Sequence, residues 1–433
     1  MGFSFIVATD SVVLHKAHMK FSHERTMNLP DSQSSRRWMG SGESLLLMAL
    51  LISIVALSVD TMLPALPEIG AELGVRSAND VQLVISMLFL GLSVGLLFYG
   101  PLSDSLGRKP VLFAGMAIYV FGTTLSIFCT GFSIMLTGRV LQGLGAAGPR
   151  SIVLALVRDQ YEGRAMARIM STIMSIFIMV PVFAPSIGQA ILLVSGWRAI
   201  FAVLLALALI VLFWFCLRQP ETLSPLHRLP FSLTKIVLAL VEVCRHRIAL
   251  AYTIVAGFVM GAFLGYLGSA QQIFQGLYGQ GLFFPIIFGV LALSVGTALL
   301  FNSRIVMSLG MRKLAFRAMA ALAALSSVYF VVVCLFNGRS PFWMLMVFLL
   351  VAFFCVGFLF GNLNAIAMTP LGHIAGTASA VIGSLSTFLS VPIALVIGRL
   401  YNDTTLPLVG GFVLLSSISL FIMRWANRMG NQQ

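Results

Sequence analysis

Apolar segments of about twenty residues or more follow one another almost without pause from residue 45 to residue 424. A helix needs roughly 20 apolar residues to cross the ~30 Å hydrocarbon core of a bilayer, and within it must satisfy its own backbone hydrogen bonds. Twelve such segments are present, at about 45–66, 81–102, 111–129, 132–157, 165–195, 197–217, 248–275, 281–302, 314–336, 341–368, 375–400 and 406–424. The segment from Ala165 to Ser195 is longer than one span and carries Pro181 and Pro185, which predict a kinked helix. Composition agrees: 59% of the 433 residues are hydrophobic and 9% are charged, against about half and about a quarter in soluble domains. The expected fold class is an all-α membrane protein of twelve transmembrane helices.

The net charge of +13 does not point to nucleic acid, because the basic residues lie in short tracts between apolar runs. With the N-terminus inside, twenty-one Lys and Arg fall on inner tails, loops and span ends, and only Arg76, Arg198, Arg339 and Arg399 fall outside. This positive-inside bias predicts cytoplasmic termini. Residues 1–44 read as a disordered cytoplasmic tail and 425–433 as a short cytoplasmic tail. The one long hydrophilic interruption, 218–247, holds Pro220, Pro225 and Pro230 and then an amphipathic stretch, Phe231 to Val243. It divides the chain into a six-helix bundle at 45–217, a linker, and a second bundle at 248–424. Ser105-Leu106-Gly107 after the second span is echoed by Ser308-Leu309-Gly310 after the eighth, which supports two pseudo-symmetric halves. Five cysteines without a CxxC pair predict neither disulfides nor a zinc site, and read as small apolar filler.

Three charges fall inside spans: Asp60, Arg139 and Arg150. A charge at mid-depth costs at least about 2.5–3.5 kcal/mol, so each requires a reason. Helix rise puts Asp60 roughly 8 Å and Arg139 about 10 Å below the outer edge, so the two are placed to meet. Such a pair serves either as a proton site, switched by a change in separation, or as a static ion pair that fixes helix packing. Gln142 and Arg150 share the face of Arg139, with Arg150 expected near the inner surface. Gly143-Leu-Gly145-Ala-Ala-Gly148 fits GxGxxG but lies in a span without a preceding strand, so it reads as close helix packing rather than a dinucleotide site. No GxxxxGK[ST] or HExxH occurs, and no catalytic constellation is present; the chain is read as a non-enzyme that uses no cofactor or metal.

Gly100-Pro-Leu-Ser-Asp104-Ser-Leu-Gly107-Arg108-Lys109 resembles the GxLxDxxGRK signature of the major facilitator superfamily. The resemblance implies a charged inner latch, with Asp159 as the partner acid. Leu136-Thr-Gly-Arg139-Val-Leu-Gln142-Gly143 is similar to a second family motif, whose Arg is implicated in proton coupling. Pro181-Val-Phe-Ala-Pro185-Ser-Ile-Gly188 resembles the antiporter motif, with departures at Ala184 and Gln189. Asp60-Thr-Met-Leu-Pro64-Ala-Leu-Pro67, Gly196-Trp197-Arg198 and Pro220-Glu221-Thr222 are similar to the bicyclomycin-resistance-type drug:proton antiporters. In the second half Met307 replaces the acid equivalent to Asp104.

The resemblance implies two bundles around a central cavity, with Gln142, Arg150, Met174, Phe177, Tyr252, Phe258, Tyr266, Gln271, Asn362 and Asn364 as candidate lining residues. It implies proton-driven efflux of apolar or amphipathic compounds and antibiotic resistance, by a monomer in the lipid bilayer that binds small molecules and protons. An exporter of one endogenous metabolite, such as a siderophore or amino-acid derivative, remains the alternative.

Overall fold

The computed structural model describes residues 41–430, so most of the expected N-terminal tail lies outside the described residues. Fourteen α-helices occur among them. The first span is α1 (Ser41–Asp60), continued after a turn by α2 (Leu66–Glu72). The other spans are α3 (Leu83–Leu106), α4 (Arg108–Ile127), α5 (Phe132–Gln160), α6 (Gly163–Ser195), α7 (Trp197–Arg218), α9 (Arg247–Gln271), α10 (Phe284–Leu309), α11 (Met311–Leu335), α12 (Phe342–Met368), α13 (Ala375–Arg399) and α14 (Leu406–Gly430). Between the halves lies α8 (Leu233–Arg245), capped by the Ser232 hydroxyl accepting from Lys235 N–H. Eleven continuous apolar stretches are present; the 58-residue one, Phe342–Arg399, is two spans joined where Leu371 leaves helical geometry, making twelve crossings.

The helices outrun their apolar runs. α1 begins at Ser41, where Glu43 in the first turn pairs with Arg218 at 2.7 Å. α14 continues to Gly430, through most of the expected C-terminal tail. α6 stays helical for 33 residues through Pro181 and Pro185. Only Cys129 and Cys355 are buried; Cys216, Cys244 and Cys334 are exposed, so filler describes two of the five.

In the N-terminal bundle α5 packs on α3, α4 and α1, and α1 packs in turn on α6. The small residues of α5 make this possible. A Cβ on Gly143 would strike the Leu88 carbonyl of α3, and one on Gly145 would strike the backbone of α4 at Tyr119. In the C-terminal bundle α9 packs on α13 and α12, and α12 on α10. The bundles meet along two seams, α3 with α13 and α6 with α10, which exchange when the spans are advanced by six. The fronts of the bundles are therefore α5 and α1 on one side and α9 and α12 on the other.

Twelve crossings return the chain to the side on which it starts, called here the terminal side. On the opposite side a network of amides ties the bundles together. Gln82 donates to Gln272 Oε1 at 2.7 Å, Gln272 donates to Asn79 Oδ1 at 2.9 Å, and Asn79 donates to the Tyr401 carbonyl at 2.8 Å. On the terminal side no side-chain hydrogen bond or ion pair joins the bundles among the described residues.

Candidate functional site

The site centres on a break in the first span. Pro64 has no N–H to offer the Asp60 carbonyl and Pro67 none for Leu63, so α1 stops at Asp60 and a tight turn spans Leu63–Ala65. Met62 N–H bonds Val59 instead of Ser58, which leaves the Ser58 carbonyl without its helical donor. Arg139 supplies one. This guanidinium is fully buried and donates to the Ser58 carbonyl at 2.9 Å, to the Val84 carbonyl of α3 at 2.9 Å and to Gln142 Oε1, with the Phe201 ring 5.7 Å away. Gln142 passes the chain on to Thr123 Oγ1 at 3.0 Å, and Ser58 Oγ meets Tyr119 Oη at 2.8 Å.

Arg139 thus reaches the backbone two residues before Asp60, but the two side chains do not form the expected ion pair. The arginine's donors are spent on carbonyls and an amide, and the Asp60 carboxyl, 5% exposed, has no hydrogen-bond or salt-bridge partner among the described residues. The turn that follows Asp60 packs on α9. There Tyr266, 1% exposed, has a hydroxyl without a partner among the described residues. The antiporter motif backs the same break from behind. Gly188 of α6 lies so near the Thr61 carbonyl that a Cβ would overlap it, and Pro185 is buried beside it while Pro181 is partly exposed.

On the terminal side the latch residues come together around Arg108, whose side chain is 8% exposed. It pairs with Asp104, donates to Asp159 Oδ2 at 2.9 Å and reaches Ser103 Oγ at 2.8 Å. The stretch expected as a loop is almost wholly helical: only Gly107, at φ +106°, stands between α3 and α4, and Gly100 sits inside α3 with open space around its missing Cβ. Lys109 donates through Nζ to the Cys216 and Gln219 carbonyls at 2.8 and 3.0 Å, closing the end of α7. Sequence reasoning missed the partner that completes this unit. The Glu221 carboxylate accepts from the backbone N–H of Arg108 at 3.0 Å and of Lys109 at 2.9 Å, capping α4, and Thr222 donates to Asp159 at 3.0 Å. The signal for it was the Pro220-Glu221-Thr222 likeness. The Gly196-Trp197-Arg198 likeness also has a local cause, because Trp197 Nε1 donates to Glu72 at 2.6 Å and Arg198 pairs with the same carboxylate.

The expected cavity lining is corrected at several positions. Gln142 is fully buried in the Arg139 network. Tyr252 is 1% exposed and donates to Asn427 of α14, because it faces the inside of its own bundle. Phe258 lines a small apolar cavity enclosed by α9, α11, α12 and α14. Asn362 is buried between α10 and α12, donating to Asn302 at 2.6 Å. Tyr266 stacks within an aromatic cluster with Phe353 and Phe288. Gln271 is half-buried and donates to Gln275 at 3.0 Å. Met174, Asn364 and Arg150 are exposed and Phe177 is partly so.

The family model of the Major Facilitator Superfamily matches residues 48–394. The chain is 29% identical over 391 residues to the uncharacterized transporter YdgK of Bacillus subtilis, covering 87% of this chain and 94% of that protein. It is 27% identical over 390 residues to the bicyclomycin resistance protein homolog of Haemophilus influenzae, covering 88% and 96%. Among solved structures, the human organic anion transporter MFSD10 shares the fold, with a TM-score of 0.64 at 18% identity over 88% of this chain and 99% of that one. With twelve crossings in two exchangeable halves and a family match across four-fifths of its length, the chain belongs to the major facilitator superfamily of membrane transporters for small molecules.

Proposed function

We propose that this transporter is a proton-coupled exporter of apolar or amphipathic compounds, working in multidrug efflux in a bacterial inner membrane as a monomer without a cofactor. The positive-inside charge bias makes the terminal side cytoplasmic, and the conformation then has its outer side held shut by the Asn79–Gln82–Gln272 amides. Transport proceeds by rocking the bundles about the α3–α13 and α6–α10 seams, so that the space between α1, α5, α9 and α12 faces one side at a time. The bicyclomycin-resistance relative supports the export of drugs as the direction and cargo class.

One observation carries the proton role: a carboxyl buried without a partner at a helix break on the front of the bundle. A buried acid is stable when protonated and is released by access to water, so opening and closing around Asp60 exchanges its proton with alternate sides. Arg139 acts through the backbone, holding the Ser58 carbonyl two residues away, so that movement of α3 or α5 is transmitted to the break. A proton falling through ~150 mV releases about 3.5 kcal/mol, enough for a gradient of a few hundredfold in a neutral compound. Energised inverted vesicles containing the protein should accumulate a fluorescent dye, and an uncoupler should abolish the accumulation. Asp60→Asn should reduce it to the uncoupled background while the protein remains inserted; uphill transport retained by that variant removes Asp60 from the proton role.

A further inference from the structure

Arg150 is the only exposed residue of α5 between Gly138 and Val157. It lies ten residues before Gln160, about 15 Å from the terminal end of the helix. The packing of α5 sets where it points. The Val140–Leu144–Ala147 side meets α3 and the Gly138–Gln142–Gly145 side meets α4. Arg139 points between α1 and α3, reaching the Ser58 and Val84 carbonyls. Arg150 follows eleven residues later, three turns on and almost on the same line, so it points into that gap nearer the terminal side. There it finds no ion-pair or hydrogen-bond partner among the described residues.

The gap opens on the space between the bundles, since α5 and α1 are the front helices bounded by the two seams. The helices across that space offer no compensating charge. α12 contains no charged residue, α9 has only Arg247 in its first turn, and α13 only Arg399 at its far end. The nearby acids Asp104 and Asp159 are already held by Arg108. A guanidinium stays charged at any working pH and offers five donors suited to a planar anion. Exposed on that space with no fixed counter-charge facing it, its donors are free to take an anion.

We propose that Arg150 is a substrate-binding residue and that the preferred cargo is an amphipathic compound bearing a carboxylate or similar anionic group. This rests on the reading of the chain as an exporter and narrows its cargo. The same chemistry is available from a lipid phosphate, so the test separates the two sources.

The probes are dansylglycine, its methyl ester and dansylethylenediamine, which share a ring system and differ in charge. Binding is read by fluorescence titration of the full chain in nanodiscs of phosphatidylcholine alone and in nanodiscs with added phosphatidylglycerol. The acid should bind about tenfold more tightly than the ester or the amine. Arg150→Gln should erase that preference by weakening acid binding about tenfold, and Arg150→Lys should keep part of it. Equal binding of acid and ester, binding of neither, or a preference that survives Arg150→Gln overturns the proposal. A preference abolished whenever phosphatidylglycerol is present assigns Arg150 to lipid and overturns it as well. Selective binding without proton-driven export in the vesicle assay refutes the exporter reading while leaving the anion site standing.

Discussion

The two terminal-side turns, α3–α4 and α10–α11, share one backbone solution and differ in everything attached to it. Gly107 and Gly310 each end one helix and start the next, at φ +106° and +77° with ψ near 150–160°, a region essentially reserved for glycine. Around Gly107 stand Asp104, Arg108, Asp159 and Glu221 in one bonded cluster. Around Gly310 a Cβ would meet nothing, Met307 is 86% exposed where Asp104 would be, Met311 replaces Arg108, and Arg312 is exposed without a partner among the described residues. The turn is therefore a duplicated backbone device, whereas the latch is an addition to one half. The arginine at such a turn becomes structural here because Asp159 of a distant helix meets its side chain and Glu221 of the linker caps its backbone.

Removing the hub should give the largest contrast. Arg108→Ala leaves two acids facing each other, with Asp104 47% and Asp159 19% exposed, and should destabilise by about 1–3 kcal/mol, less than breaking a fully buried pair because water reaches the carboxylates. Arg312→Ala should change the same thermal melt, recorded in detergent, by less than about 0.5 kcal/mol. Equal losses would mean that the C-terminal turn carries a latch after all. Next come the glycines. Gly310→Ala should cost about 1–3 kcal/mol from backbone strain alone. Gly107→Ala should cost more, because its Cβ also meets Glu221 Oε2 at 2.8 Å and Arg228 Nη2 at 3.2 Å; comparison of the two melting temperatures checks this. The smallest effect is expected from Met307→Asp combined with Met311→Arg, which writes the i, i+4 charge pair into the second half. It should add only about 0–1 kcal/mol, because the positions are exposed and α12 supplies no acid equivalent to Asp159. A larger gain in melting temperature would show that the acid alone makes the latch.

Much of this architecture was legible because membrane insertion is a local test. Span number and the linker follow from apolar length. Asp60 and Arg139 stood out because charges inside spans are costly, and Asp104 and Arg108 because of the motif they share with the family. The readings failed where a side chain's neighbour depended on which helix stood opposite. Tyr252 and Asn362 were placed in a cavity by their span numbers, but they face Asn427 and Asn302 within their own bundle. Asp60 and Arg139 were matched by depth, yet the arginine answers a carbonyl freed by the Pro64 break.

The sequence by itself determined the twelve crossings and the glycines at Gly107 and Gly310. Its prolines also cause the break after Asp60, which the continuous 45–66 span read from the sequence did not foresee. Each follows from interactions within a few residues along the chain: backbone satisfaction in lipid, the φ range of glycine, the missing N–H of proline. Only the tertiary structure decided that Glu221 caps α4, that Arg139 bonds carbonyls rather than Asp60, and that Arg150 is exposed without a partner among the described residues. Hydrogen bonds and ion pairs act over about 3 Å, and in a bundle that distance is set by how neighbouring helices rotate and approach.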